Sequence, residues 1–113
     1  MKVCVIGGGS TYTPELVSGF IKRASAIGLT DLCLMDIDAE RLEIVGALAK
    51  RMIEAAGSPF RLSLETDRAK AMAGASFIAS QYRIGHMEAR KNDEYLGRRH
   101  GLVGQETTGV GGM

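Results

Sequence analysis

Lys2-Val3-Cys4-Val5-Ile6-Gly7-Gly8-Gly9-Ser10 is the stretch that decides the fold. A short β-branched run reads as a buried strand, and the consecutive glycines end it in a tight turn. Pro14 suits the first position of a helix, with Thr13 before it as the cap. Leu16, Phe20, Ala24 and Ile27 then recur at helical spacing, Val17 and Ile21 widen the stripe, and Gly28 is a natural stop.

The same alternation continues outward. Leu32-Cys33-Leu34-Met35 is a second buried run ending at Asp36-Ile37-Asp38. Asp38 can cap a helix that carries Leu42, Val45, Ala49, Met52, Ile53 and Ala56 on one face and stops at Gly57. Arg61 to Glu65 alternates as a third strand. Asp67 to Ala73 forms a short helix closed by Gly74, and Phe77-Ile78-Ala79-Ser80 is a fourth strand. A polar helix is expected over His86 to Leu96. Strands alternating with helices on short loops predict an α/β fold with a parallel sheet covered on both faces. The expected architecture is a Rossmann-like, doubly wound sheet, with its first half complete and its second half truncated. From Gly101 onward the chain is glycine-rich and offers no further element, so residues 1–113 are expected to form the N-terminal domain of a longer protein.

Composition bounds the function. A chain of 113 residues supports one core. Its 14 Lys+Arg against 13 Asp+Glu give a net charge of +1, which offers nucleic acid no basic surface. The opening apolar run, Val3 to Ile6, is too short for a signal peptide or a membrane span. Cys4 and Cys33 lie inside apolar runs and read as small buried hydrophobes, not as a disulfide framework. A cytoplasmic protein with no membrane partner is expected.

A glycine turn between a strand and a helix brings backbone close to a pyrophosphate at the helix N-terminus, where free N–H groups favour anions. Gly7, Gly8 and Gly9 occupy that position, and Ser10 and Thr11 add hydroxyls. The full fingerprint asks for a glycine at position 12, where this chain has Tyr12. The turn alone therefore also fits a plain strand-to-helix connection. Asp36 shifts the balance. It ends the second strand, where a carboxylate accepts the ribose hydroxyls of an adenosine and repels a 2′-phosphate, so NAD is favoured over NADP. Asp38 reads as a helix cap only.

Ser80-Gln81-Tyr82-Arg83-Ile84-Gly85 follows the fourth strand, and loops there lie across the crevice of this fold. The next helix carries Glu88, Arg90, Lys91, Asp93 and Glu94, a mixture that ordinarily makes a solvated face. His86 and His100 have no cysteine or carboxylate in metal-ligand register. Asp93 and Glu94 are adjacent and point to different sides of a helix, so they are not a paired acid and base.

These segments together resemble glycoside hydrolase family four. The likeness lies in Val5 to Leu16, in Asp36-Ile37-Asp38 with Arg41-Leu42, in Ser80 to Gly85 with Glu88-Ala89-Arg90, and above all in Gly104-Gln105-Glu106-Thr107-Thr108-Gly109 with Gly111-Gly112. It spans the whole chain in order, and the Gln-Tyr-Arg and Gln-Glu-Thr segments look most like those of 6-phospho-β-glucosidases. The family also lacks the third glycine, so Tyr12 agrees with it.

The resemblance implies an enzyme several times longer than this chain. It would use NAD and a divalent metal, usually manganese, to hydrolyse a phosphosugar glycoside by a redox and elimination route, outside the two-carboxylate scheme. By position it implies that Gly7 to Thr11 hold the pyrophosphate, that Asp36 holds the ribose, and that Arg90 contacts the phosphosugar. Glu106 would raise the basicity of a downstream tyrosine base. The metal ligands, the acid and that tyrosine have no counterpart here: neither Tyr12, Tyr82 and Tyr95 nor Cys4 and Cys33 match them. A homo-oligomer is expected of the full-length enzyme. Specificity for an α-glucoside, an α-galactoside or a glucuronide, and a stand-alone NAD-binding module, are the alternatives.

Overall fold

The computed structural model describes residues 1–105, which include β1 (Lys2–Ile6), α1 (Thr13–Ile27), β2 (Asp31–Met35), α2 (Ala39–Ala55), β3 (Arg61–Glu65), α3 (Arg68–Met72), β4 (Phe77–Ser80) and α4 (His86–Arg99). They fall into two compact units, Met1–Tyr82 and the segment from Arg83 onward.

In the first unit the strands are all parallel, in the order β3-β2-β1-β4. This is the doubly wound order about β1, and it places the ends of β1, β2 and β4 beside one another. Strand periodicity divides the core in two. Val3, Val5, Leu32 and Leu34 face α1 and α2, and meet Val17, Ala24, Leu42, Ala49 and Ile53. Cys4, Cys33 and Met35 face the other way and pack with Ala71 of α3. The two cysteines lie opposite each other in the β1–β2 register, buried and unpaired by any disulfide. Burial and the neighbouring Cys33 thiol push the Cys4 thiol up.

Local chemistry sets the element ends. Gly28 takes φ +63° and closes α1 with bonds back to Ser25 and Ala24. Asp38 caps α2 by accepting the Arg41 amide at 3.0 Å, and Asp67 caps α3 by accepting the Lys70 amide at 2.9 Å. Gly57 and Gly74 also take positive φ, as expected for stops.

Four expectations need correction. Helix α1 buries Thr13, Val17 and Ala24, and packs the half-buried Leu16, Phe20 and Ile21 against the same core, whereas Ile27 at its end is 40% exposed. Ala56, expected on the buried face of α2, is exposed at its cap. The sheet is not covered on both faces throughout: β4 stands at its edge with Phe77 64% and Ile78 49% exposed. Helix α4 continues to Arg99, one turn past Leu96, and Arg98 and Arg99 in its last turn suit the negative end of the helix dipole. Among the described residues, no helix is long and apolar enough to cross a membrane.

Candidate functional site

The turn after β1 is built from three glycines, each needed for a different reason. Gly7 takes φ +90°, and a Cβ there would lie 2.7 Å from the Gln81 carbonyl oxygen. A Cβ on Gly8 would lie 2.7 Å from Leu34 Cβ and 3.0 Å from its Cα, against the β2 backbone. On Gly9 it would meet the Asp36 carboxylate, 2.8 Å from Oδ2. The bare backbone thus passes directly over the end of β2.

Hydrogen bonds fix this path. The Gly7 and Gly8 amides both donate to the Met35 carbonyl at 2.8 Å, so they face inward. The Ser10 amide donates to the Gly7 carbonyl and the Thr13 amide to the Ser10 carbonyl, each at 3.1 Å. The Ser10 hydroxyl oxygen accepts the Tyr12 amide at 3.2 Å. What remains at the start of α1 is the exposed Thr11, whose amide has no hydrogen-bond partner among the described residues, with Pro14 having no N–H to offer. Unpaired donors and the positive end of a 15-residue helix therefore converge there.

Asp36 follows β2 directly, and both its oxygens are held. Oδ2 accepts the Gly9 amide at 2.8 Å and Oδ1 accepts the Asp38 amide at 3.0 Å. An ionised carboxylate has about four acceptor sites, so lone pairs remain for two vicinal hydroxyls. The half-buried side chain is oriented before any ligand arrives.

Gly7, Gly8, Gly9, Ser10, Thr11 and Asp36 are thus brought together in the first unit. Arg90 is elsewhere, on α4 of the second unit, where its Nε donates to Glu94 at 3.0 Å. Glu106 lies outside the described residues. Thr13 does not cap α1. Tyr12 holds the cap position without a side-chain bond, while the Thr13 hydroxyl is fully buried and accepts from Gln81 Nε2 at 2.7 Å. No role for the Gln81 side chain is legible in the sequence motifs. Beside Pro14, Thr13 reads locally as a cap, and its need for a distant partner arises only once the fold buries it. Among the described residues, no cluster of three or more His, Cys, Asp or Glu could hold a metal ion.

Comparison with known proteins names the lineage of this arrangement. The sequence profile of family 4 glycosyl hydrolases matches residues 2–113. The chain belongs to that family. It is 50% identical over 115 aligned positions to a probable 6-phospho-β-glucosidase of Bacillus subtilis (strain 168), covering all of this chain and 26% of that protein. It is 35% identical over 112 positions to a 6-phospho-α-glucosidase of Lacticaseibacillus paracasei (strain ATCC 334), covering 99% of this chain and 25% of that protein. The structure of the Thermotoga maritima 6-phospho-β-glucosidase with manganese, NAD+ and glucose-6-phosphate superposes with a TM-score of 0.88 at 38% identity, over 99% of this chain and 27% of that one. This family 4 chain therefore spans about a quarter of the length of the relatives it matches.

Proposed function

We propose that the chain is the NAD-binding N-terminal part of an NAD- and divalent-metal-dependent 6-phospho-β-glucosidase. The observation that carries this reading is the Asp36 carboxylate, locked by the Gly9 amide at 2.8 Å on the rim of a glycine turn that opens a helix. That geometry suits an adenosine ribose beside a pyrophosphate. Bound NAD would supply reversible hydride acceptance from the sugar. The residues here would orient it: Asp36 through the ribose hydroxyls, and Thr11 and Ser10 at the phosphates, while Gly7 to Gly9 keep the surface clear of side chains. The carboxylate next to the ribose 2′ position disfavours NADP.

Higher identity to the β-glucosidase than to the α-glucosidase supports the β-glucoside assignment. Arg90 is proposed to meet the phosphosugar, for which a guanidinium fork is suited, and Glu106 to act on a tyrosine base outside this chain. The metal ligands are assigned to the rest of the enzyme. The full-length enzyme is proposed to work in the cytoplasm as a homo-oligomer.

Thermal unfolding with NAD tests the reading. A ligand at 100 times its Kd stabilises by about 2.7 kcal/mol, which is visible as a melting shift. Residues 1–113 should show that shift yet release no aglycone from a chromogenic 6-phospho-β-glucoside with NAD and manganese. Absence of any shift up to millimolar NAD, or release of aglycone by this chain, would overturn the assignment.

A further inference from the structure

We infer that Gln81 is a positioning residue for the dinucleotide turn, acting from the end of β4; this rests on the NAD reading above. Its main-chain amide donates to the Ile6 carbonyl at 2.9 Å, which extends the β1–β4 ladder by one step. Its side chain then reaches the turn. Nε2 donates to the Gly7 carbonyl at 3.2 Å and to the Thr13 hydroxyl oxygen at 2.7 Å. A carbonyl oxygen can only accept, so the amide nitrogen must be the end that faces the turn.

Gly7 and Thr13 are the two ends of the crossing from β1 to α1. Ser10 and Thr11, proposed to meet the phosphates, lie between them, and Gly7 itself begins the pyrophosphate turn. One side-chain nitrogen therefore pins both ends of that loop. The Gly7 carbonyl it holds also accepts the Ser10 amide, so Gln81 steadies the acceptor on which the turn closes. The Thr13 hydroxyl is fully buried and Gln81 is its partner, so losing the carboxamide leaves a buried oxygen without a donor. Approach is close on the main-chain side as well, where the Gln81 carbonyl excludes any Cβ at Gly7. None of the Gln81 groups needs to touch the ligand. Its effect passes through the path of the backbone between Gly7 and Thr13.

The test compares the wild-type chain with Gln81→Leu, Gln81→Asn, Thr13→Val and Thr13→Ser, titrated with NAD and with adenosine. Gln81→Leu removes both bonds, and Gln81→Asn is one methylene too short to make them. Both should weaken NAD at least tenfold while adenosine, which lacks phosphates, weakens severalfold less, by the share that passes through the Gly9–Asp36 bond. Thr13→Val should lie between wild type and Gln81→Leu. Thr13→Ser keeps the hydroxyl and should restore wild-type NAD affinity. Equal weakening of both ligands, or no weakening of NAD in Gln81→Leu, would overturn the inference.

Amide hydrogen exchange separates this from the NAD reading. In Gln81→Leu the Ser10 and Thr13 amides should exchange at least tenfold faster, with the Leu34 amide in β2 unchanged. That result would stand even if wild-type protein bound no NAD, in which case the cofactor assignment alone would fall. Unchanged exchange at Ser10 and Thr13 would sink the positioning role. So would equal acceleration at Leu34, the mark of a fold loosened as a whole.

Discussion

Gly9→Ala should separate cofactor binding from folding. Gly9 does not have positive φ, so alanine fits its backbone conformation, and the consequences come from the added methyl alone. That methyl would sit 2.8 Å from Asp36 Oδ2, 3.1 Å from Cγ and 3.3 Å from Arg41 Cβ. The nearest obstacle is the end of a rotatable side chain, so the carboxylate swings away and the β2 backbone stays. Its bond to the Gly9 amide is then lost. A hydrogen bond to a charged group contributes about 1.5–3 kcal/mol, and the half-buried site argues for the lower figure. Replacing glycine by alanine restores about 0.4–1 kcal/mol by narrowing the unfolded ensemble. The net stability change should be about 1 kcal/mol, or roughly 4–8 °C in Tm for a domain of this size. NAD should lose the displaced ribose contacts as well. At about 1.4 kcal/mol per decade, the loss of one charge-assisted contact weakens binding roughly tenfold. Calorimetric titration and a melting curve on the same sample measure both quantities. A Gly9→Ala protein that melts near wild type and binds NAD as tightly would refute the role given to Asp36.

Other substitutions and conditions probe the rest of the account. Gly8→Ala places its methyl against the β2 backbone at Leu34, where nothing rotates away, so urea unfolding should show a loss near the upper end of the ~1–3 kcal/mol usual for overpacking. Cys4 and Cys33 are buried and the Cys4 thiol is pushed up, so neither should react with a thiol reagent at neutral pH until urea is added; prompt reaction in native protein would contradict the core assignment. The Arg61 guanidinium, 2.8 Å away, and the Thr30 hydroxyl hold the Asp31 carboxyl below its usual value. Asp31 therefore adds stability that is present above its unfolded pKa, near 3.9, and is lost as pH falls through the lower folded value. Asp31→Asn should flatten the acid limb of the stability profile, and an unchanged limb would contradict this.

The parts of this fold that were legible in sequence are those set by neighbours along the chain. Asp38 caps the helix that follows and Gly28, Gly57 and Gly74 mark helix ends, because each acts within a few residues; Asp67, read as the first residue of a helix, is its cap instead. The buried apolar runs of β1 and β2 were equally local, whereas which residues face α1 and α2 and which face α3 was not. What escaped was decided by distant partners. Thr13 looks like a cap beside Pro14, yet its hydroxyl is claimed by a residue 68 positions away. The inward turn of the Gly7 and Gly8 amides depends on the Met35 carbonyl, and the locking of Asp36 depends on Gly9. No periodicity encodes these approaches. The exposure of Phe77, an apolar residue in a strand, is likewise set by the place of β4 at the sheet edge.

The central claim is that Asp36 makes this turn an NAD site, and the most direct measurement is the Kd of wild-type chain for NAD and for NADP under identical buffer and salt. NAD should bind more tightly, a preference that shrinks in Asp36→Asn as the repulsion of the 2′-phosphate is removed. Tighter NADP binding by the wild-type chain would contradict it, and would transfer the decision to the neighbouring Arg41, since an arginine in this region of the fold accommodates a 2′-phosphate.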